Sequence, residues 1–291
     1  MKILDIDKDV LLIPLQAVSG IVERRHTLPI LSNVMLETRG TDLNLVATDL
    51  EIQISTSAKL DKSVTDHSIT VSARKLQDIL RALPEKTAVT LDAQEGRLQV
   101  KAGKSKFNLQ TLPAQDFPRL AQGGSSTASV KLSQKAFRDL LSLVQYGMAQ
   151  QDIRYYLNGL LLVADGKQLT MVATDGHRLA YASTTLTSDV VRSEVIIPRK
   201  AVLELAKLLE DIEDDVEIQL LPNQVRFIFG GIDIVSKVVD GKFPDYTRVI
   251  PTNYKKYFAV GRIVLQQALQ RASILSNEKF RGVRWVLTAN S

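Results

Sequence analysis

Three histidines, His26, His67 and His177, are the only imidazoles among 291 residues, and no cysteine accompanies them. Disulfides, thiol nucleophiles and thiolate metal sites are therefore excluded, and no two histidines stand at metal-ligand spacing. Asp175 and His177 suggest an acid/base pair, but no nucleophile signature accompanies them, and the matching Asp49 has no histidine nearby. Gly103-Lys104-Ser105 resembles the end of a phosphate-binding loop, yet the upstream glycine that such a loop needs is Leu98. The acidic stretch 210–217 has no periodic ligand spacing and reads as a solvated loop. No catalytic residue, metal site or cofactor loop is expected. What remains is charge: 37 Lys and Arg against 32 Asp and Glu give +5, which suits a polyanionic partner.

The elements that carry this charge repeat. Val46-Ala47-Thr48-Asp49 returns as Val172-Ala173-Thr174-Asp175, 126 residues later, and Gly40 and Gly166, like Phe117-Pro118 and Phe243-Pro244, keep that offset. A period of this length is that of a whole domain rather than a solenoid unit. The apolar stripe Leu76, Ile79, Leu80, Leu83 has the spacing of a surface helix, and its counterpart is Val202, Leu205, Ala206, Leu209. Asp7 and Ser133 are N-cap residue types ahead of apolar helical runs at 10–18 and 136–144, with Pro14 expected to kink the first. Arg24-Arg25, Arg74-Lys75 and Arg199-Lys200 stand at the ends of such helices, and Lys131, Lys135 and Arg138 lie on or near the third, which suggests a shared basic surface.

Between the helices, residues 43–54, 96–101, 106–112, 169–171 and 225–234 alternate apolar and polar side chains as strands. The expected fold class is α+β, tandem repeats in which two helices pack on antiparallel sheet. The expected domains are 1–122 and 128–246, followed by the start of a third at 247–291 that opens with an amphipathic run at 263–275. Phe107, Leu109 and Thr111 face one way on a strand whose edge can recruit a neighbour. No run approaches the roughly 20 apolar residues needed to span a bilayer, and no leader opens the chain, so a cytoplasmic location is expected.

Several long motifs carry a resemblance. Thr27-Leu-Pro-Ile-Leu-Ser-Asn, Asp152-Ile-Arg-Tyr-Tyr-Leu-Asn-Gly, Ala173-Thr-Asp-Gly-His-Arg-Leu-Ala, Phe243-Pro-Asp-Tyr and Ile274-Leu-Ser-Asn-Glu-Lys-Phe-Arg-Gly-Val-Arg appear in the order found in bacterial DNA sliding clamps. The chain resembles that family, the beta subunit of DNA polymerase III, from Met1 to Ser291, with most of a third domain missing.

The resemblance implies a non-catalytic polymerase processivity factor. Three similar domains per chain would pair head-to-tail with a second chain to close a ring around duplex DNA. Helices would line the hole, and sequence-independent phosphate contacts would let the ring slide. DNA-touching positions carried over are Arg25, Arg74, Gln151, Tyr155 and Tyr156, with Arg199 and Lys200 added. A peptide pocket for polymerases, the clamp loader and repair proteins would be walled by Leu157, Thr174, Gly176, His177, Arg178, Leu179, Pro244, Arg248 and Val249. Gly176, which replaces Leu50 of the first repeat, is expected to open its turn so that the pocket forms in one repeat only. The ring contact would join Lys75, Phe107 and Leu109 to Ile274 and Leu275. With residues 247–291 too few for the full sheets of a third domain, a monomer or a poorly ordered last segment is expected. Partners would be duplex DNA, primed template and the polymerase III catalytic subunit with its accessory proteins; no membrane is involved. Two other readings remain: a non-encircling DNA-binding protein, indifferent to DNA ends, and a peptide-recognition scaffold, indifferent to charge reversal at Arg25 and Arg74.

Overall fold

The computed structural model describes residues 2–23, 28–121, 124–276 and 282–288. The first repeat runs β1 (Lys2–Asp7), α1 (Lys8–Ser19), β2 (Asn33–Thr48), β3 (Ile52–Ser72), α2 (Ala73–Ala82), β4 (Ala88–Gln94), β5 (Arg97–Ala102) and β6 (Ser105–Leu112). The second runs β7 (Ala128–Ser133), α3 (Gln134–Val144), β8 (Gly159–Thr174), β9 (Leu179–Pro198), α4 (Arg199–Leu208), β10 (Asp215–Leu220), β11 (Gln224–Phe229) and β12 (Ile232–Lys237). Adding 126 to the bounds of β1, β2 and α2 gives those of β7, β8 and α4. The α+β repeat is therefore a repeat of structure as well as of sequence.

Helix starts follow their chemistry. The Asp7 carboxylate accepts the Asp9 amide at 2.9 Å, and the Ser133 hydroxyl accepts that of Ala136 at 3.3 Å. α1 continues unbroken through the buried Pro14, so that residue does not end the helix. Leu76 and Leu80 on α2, like Val202 and Leu205 on α4, point into a continuous core that both repeats share. Phe137 and Phe227 stack there with ring centroids 5.8 Å apart.

The long hairpins β2–β3 and β8–β9 have the same register, Val34 opposite Val71 and Leu160 opposite Ile197. Both break step at a glycine with positive φ, Gly40 at 56° and Gly166 at 54°. Only glycine takes that backbone without a Cβ penalty, which explains why both repeats keep it. One sheet crosses the repeats in the order β1-β4-β5-β6-β3-β12-β11-β10-β7. The crossing is the antiparallel pair β12–β3, from Ile232 opposite Thr56 to Ser236 opposite Ile52.

Three expectations need correction. Residues 43–54 are two strands: Asp49 Oδ1 accepts the amides of Glu51 and Ile52 at 2.9 and 2.7 Å and turns the chain back. Residues 225–234 are likewise β11 and β12, because Gly230 and Gly231, at φ 52° and 76°, form a two-residue hairpin. The acidic stretch 210–217 is a loop only in part, since β10 begins at Asp215 and pairs with β7 and β11. Val216 and Ile218 alternate into the core there while the carboxylates face out.

Contacts divide the chain into Met1–Pro244, which holds both repeats, and Asp245–Ser291. The second unit holds α5 (Arg262–Ser273), none of whose residues is buried, and a tilted Phe258–Trp285 pair with centroids 6.3 Å apart. No helix among the described residues is long and apolar enough to cross a membrane.

Candidate functional site

Charge is concentrated on helices. α1 to α5 carry eleven basic and four acidic side chains, a surplus of seven, against +5 for the whole chain. The rest of the chain is thus slightly acidic in sum, and the positive surplus sits on these helices.

On α2, Arg74 and Lys75 are exposed, with the Arg74 guanidinium 3.9 Å from Asp78. Together with Arg81 and Ser72 they line a groove of about 410 Å³ between the end of α1 and the start of α2. Arg25 lies outside the described residues. On α4 the matching pair is already engaged. Arg199 donates to the Met148 carbonyl at 3.3 Å, and Lys200 donates to Glu23 at 2.8 Å and Asp49 at 2.5 Å. Lys200 is thus set apart from Arg74, its exposed counterpart at the start of α2.

Gln151, Tyr155 and Tyr156 sit on a loop that is tied to itself. Asn158 accepts the Asp152 amide at 2.9 Å and donates back to the Asp152 carbonyl at 2.8 Å. Arg154 grips the Asp152 carboxylate from its amide and guanidinium at 2.8 to 3.0 Å. Those bonds hold the Asp152 carboxyl down at about 2, well below the usual carboxylate range. Gln151 takes φ 57°, an uncommon left-handed conformation for a side-chain-bearing residue. Tyr155 and Tyr156 form a 3-10 turn with Leu157, their rings edge-to-face at 5.8 Å; Tyr155 is exposed and Tyr156 half-buried.

The Thr-Asp repeat builds one turn twice. Thr48 and Thr174 each donate to a carbonyl across the turn, at 2.9 and 2.7 Å, and each accepts an amide at 3.0 Å. Asp175 Oδ1 accepts the amides of His177 and Arg178 at 2.9 and 3.0 Å, as Asp49 does for its own turn. Burial alone would raise the Asp175 pKa, but those amides and the Arg178 guanidinium pull it below its ordinary value. The expectation for Gly176 is corrected by the backbone: Leu50 has φ 76° and Gly176 has φ 86°, so both turns share one shape. What glycine provides is space. The Arg154 guanidinium donates to the Asp175 carbonyl at 3.2 Å, and a Cβ on Gly176 would meet it at 2.8 Å.

Thr174, Gly176, His177, Arg178 and Leu179 are brought together by this turn. Arg178 extends from it to the Tyr146 carbonyl at 2.8 Å, with its guanidinium carbon 5.5 Å from the centre of the Tyr146 ring. Leu157 is buried, at 1% exposure, so its side chain is not presented at the surface. Pro244 ends the first unit, exposed. Arg248 and Val249 are exposed in the second, where Arg248 pairs with Asp245 at 2.8 Å. A separate groove of about 540 Å³, floored by Leu161, Ile196 and Phe243, contains none of the predicted pocket residues. Arg154 and Tyr146 were not legible as site residues, because no motif spacing links either to the Thr-Asp turn.

On β6, Leu109 is buried and Phe107 half-buried, so their side chains serve the core of their own repeat. The backbone of Lys106–Gln110 pairs with β5 on one side. Ile274 and Leu275, past the end of α5, are 75% and 95% exposed.

Comparison with known proteins identifies the family. The family model described as the DNA polymerase III beta subunit, N-terminal domain, matches residues 1–121, and that of its central domain matches residues 131–245. The beta sliding clamp of Pseudomonas putida strain KT2440 is 47% identical over 286 residues, 98% of this chain and 77% of its own length. That of Vibrio cholerae is 45% identical over 285 residues, 98% of this chain and 78% of its own. The crystal structure of a DnaN sliding clamp from Pseudomonas aeruginosa bound to griselimycin superposes with a TM-score of 0.92 at 45% identity. It covers 96% of this chain and 76% of that one.

Proposed function

The chain belongs to the beta-subunit family of DNA polymerase III, the bacterial sliding clamps, and on that premise we propose how its residues do a processivity clamp's work. The observation that carries the reading is that α1 to α4 by themselves carry a positive surplus of five, equal to that of the whole chain. A duplex surrounded by such helices is held through its phosphates without any base being read. Arg25 and Arg74 bear the phosphate contacts, Arg199 adds to them, and Gln151, Tyr155 and Tyr156 meet the template strand, where an exposed ring offers a stacking face.

Ring closure reuses the junction already present in the chain. β12 of the second repeat adds to the free edge of β3, and β6 is the matching strand of the first repeat. We propose that β6, together with Lys75 of α2, receives a third domain of another chain, to which Ile274 and Leu275 belong. Such a head-to-tail contact closes on itself and buries the edge. The division into domains 1–122, 128–246 and 247–291 follows from the same repeat.

The Thr-Asp turn of the second repeat, with Leu157, Thr174, Gly176, His177, Arg178, Leu179 and Pro244, forms the seat for partner peptides; the resemblance assigns Arg248 and Val249, which lie in the second unit, to the same function. Apolar walls take an anchor side chain while the polar groups set its orientation. The polymerase III catalytic subunit, the clamp loader and repair proteins share this seat. The protein performs no catalysis itself, needs no cofactor and works in the cytoplasm.

Topology is the test. The chain, extended through a whole third domain, is loaded onto a nicked circular plasmid, and retained protein is counted before and after one linearising cut. Release on linearisation is expected; equal retention on both forms would replace encirclement with ordinary contact binding.

A further inference from the structure

The resemblance groups Lys200 with the phosphate-binding residues, but its ammonium is committed elsewhere. It donates to Asp49 at 2.5 Å and to Glu23 at 2.8 Å, both residues of the other repeat. The Asp49 side chain is only 8% exposed, and its second oxygen already accepts two amides of the Thr-Asp turn. A phosphate that took Lys200 would leave a nearly buried carboxylate without its cation, which is strongly unfavourable.

The surroundings form a junction. One turn along α4, Glu204 lies so close to the end of α1 that a Cβ on Gly20 would fall 2.2 Å from its Oε2. On the far side of the Asp49 turn, Lys237 at the end of β12 pairs with Glu51 at 3.0 Å. The second repeat offers a comparison in the same fold. Asp175 makes the same turn, but its second oxygen takes Arg178 of its own repeat at 3.0 Å. Asp49, where the matching residue is Ile52, instead takes a cation from across the junction.

We infer that Lys200 is a positioning residue: with Asp49 and Glu23 it clasps the start of α4 to the first repeat and fixes the angle at which the two basic surfaces meet. Phosphate contact is left to its neighbours. The clasp itself rests on the geometry of the junction; only its consequence for DNA depends on the sliding-clamp reading.

Two measurements on the full chain decide it. The chain has no native cysteine, so Asp61→Cys and Ser188→Cys place spin labels on exposed positions of β3 and β9. Their distance distribution reports the angle between repeats. Lys200→Met is expected to broaden that distribution, Lys200→Arg to restore it, and Glu23→Gln, at an exposed residue, to broaden it less. In parallel, log affinity for a short duplex is plotted against log salt concentration. A lost phosphate contact lowers that slope by about 0.9, so Lys200→Met should leave it unchanged while Arg74→Ala lowers it. A lowered slope for Lys200→Met, or an unbroadened distribution, overturns the clasp. Should Lys200→Met not fold, Lys200→Gln and Glu23→Gln are read in the same two ways. Failure of Arg74→Ala to change the slope counts against the DNA surface instead, and the labels still judge the clasp.

Discussion

The guanidinium of Arg154 occupies the space that a side chain at Gly176 would need: a Cβ built there would lie 2.8 Å from Nη2. The backbone favours glycine, since φ at this position is 86°, and a side chain there would have to push the flexible end of Arg154 aside. Gly176→Ala should cost about 1–2 kcal/mol from the left-handed backbone alone, and should also displace Arg154. A thermal melt measures the loss. Leu50→Gly in the first repeat relieves the same strain at φ 76°, and the flexibility glycine adds to the unfolded chain, about 0.5–1 kcal/mol, offsets part of the gain. Equal destabilisation by both substitutions would contradict this account.

Asp152 supplies a pH test. Its carboxyl titrates at about 2 because Arg154 hydrogen-bonds the charged form. A depressed pKa means that its contribution is complete above the ordinary carboxylate range and disappears as pH falls through about 2. The Asp152 carboxyl carbon, followed by NMR, should stay in its ionised position at pH 3.5, and Arg154→Ala should return its midpoint toward that of an ordinary aspartate. A wild-type midpoint near 4 would mean that the Arg154 bonds do not persist in solution.

Lys200 runs opposite in sign. Burial opposes its charge, but the hydrogen bonds to Asp49 and Glu23 outweigh burial and raise its pKa. Stability from this group is complete below the lysine's unfolded pKa and is lost as pH rises through the raised one. Urea melts should show the wild type losing more stability than Lys200→Met between pH 10 and the onset of base denaturation. Parallel losses would show that the ammonium contributes nothing there.

Phe137 and Phe227, stacked at 5.8 Å and fully buried, tie α3 to β11. Truncation of either to alanine should cost roughly 3–5 kcal/mol, because the cavity closes only in part. If the two truncations add without coupling in a double-mutant cycle, the rings do not act as a pair.

Much of this fold was legible because the sequence states it twice. Gly40 and Gly166 mark the same bulge, and the stripes from Leu76 and Val202 mark the same helix, so local patterns with fixed periods read correctly. Strand ends were less legible. Nothing in an alternating run such as 43–54 says where it reverses until the Asp49 carboxylate is seen capturing two amides. The compositional surplus of lysine and arginine indicated a polyanion, and the motif strings pointed to a family.

What the chain's own order could not decide was which charges are available to a ligand. Arg74 and Lys200 look alike as basic residues at helix starts; one is exposed beside a groove, and the other is held by Asp49 from 151 residues away. Likewise Arg154 has no sequence relation to Gly176 and meets it only because two loops converge. Periodicity and turn chemistry act over a few residues and survive in the one-dimensional pattern. Ion pairing and steric exclusion depend on distances that exist only after β12 has paired with β3 and the repeats have closed on a common core.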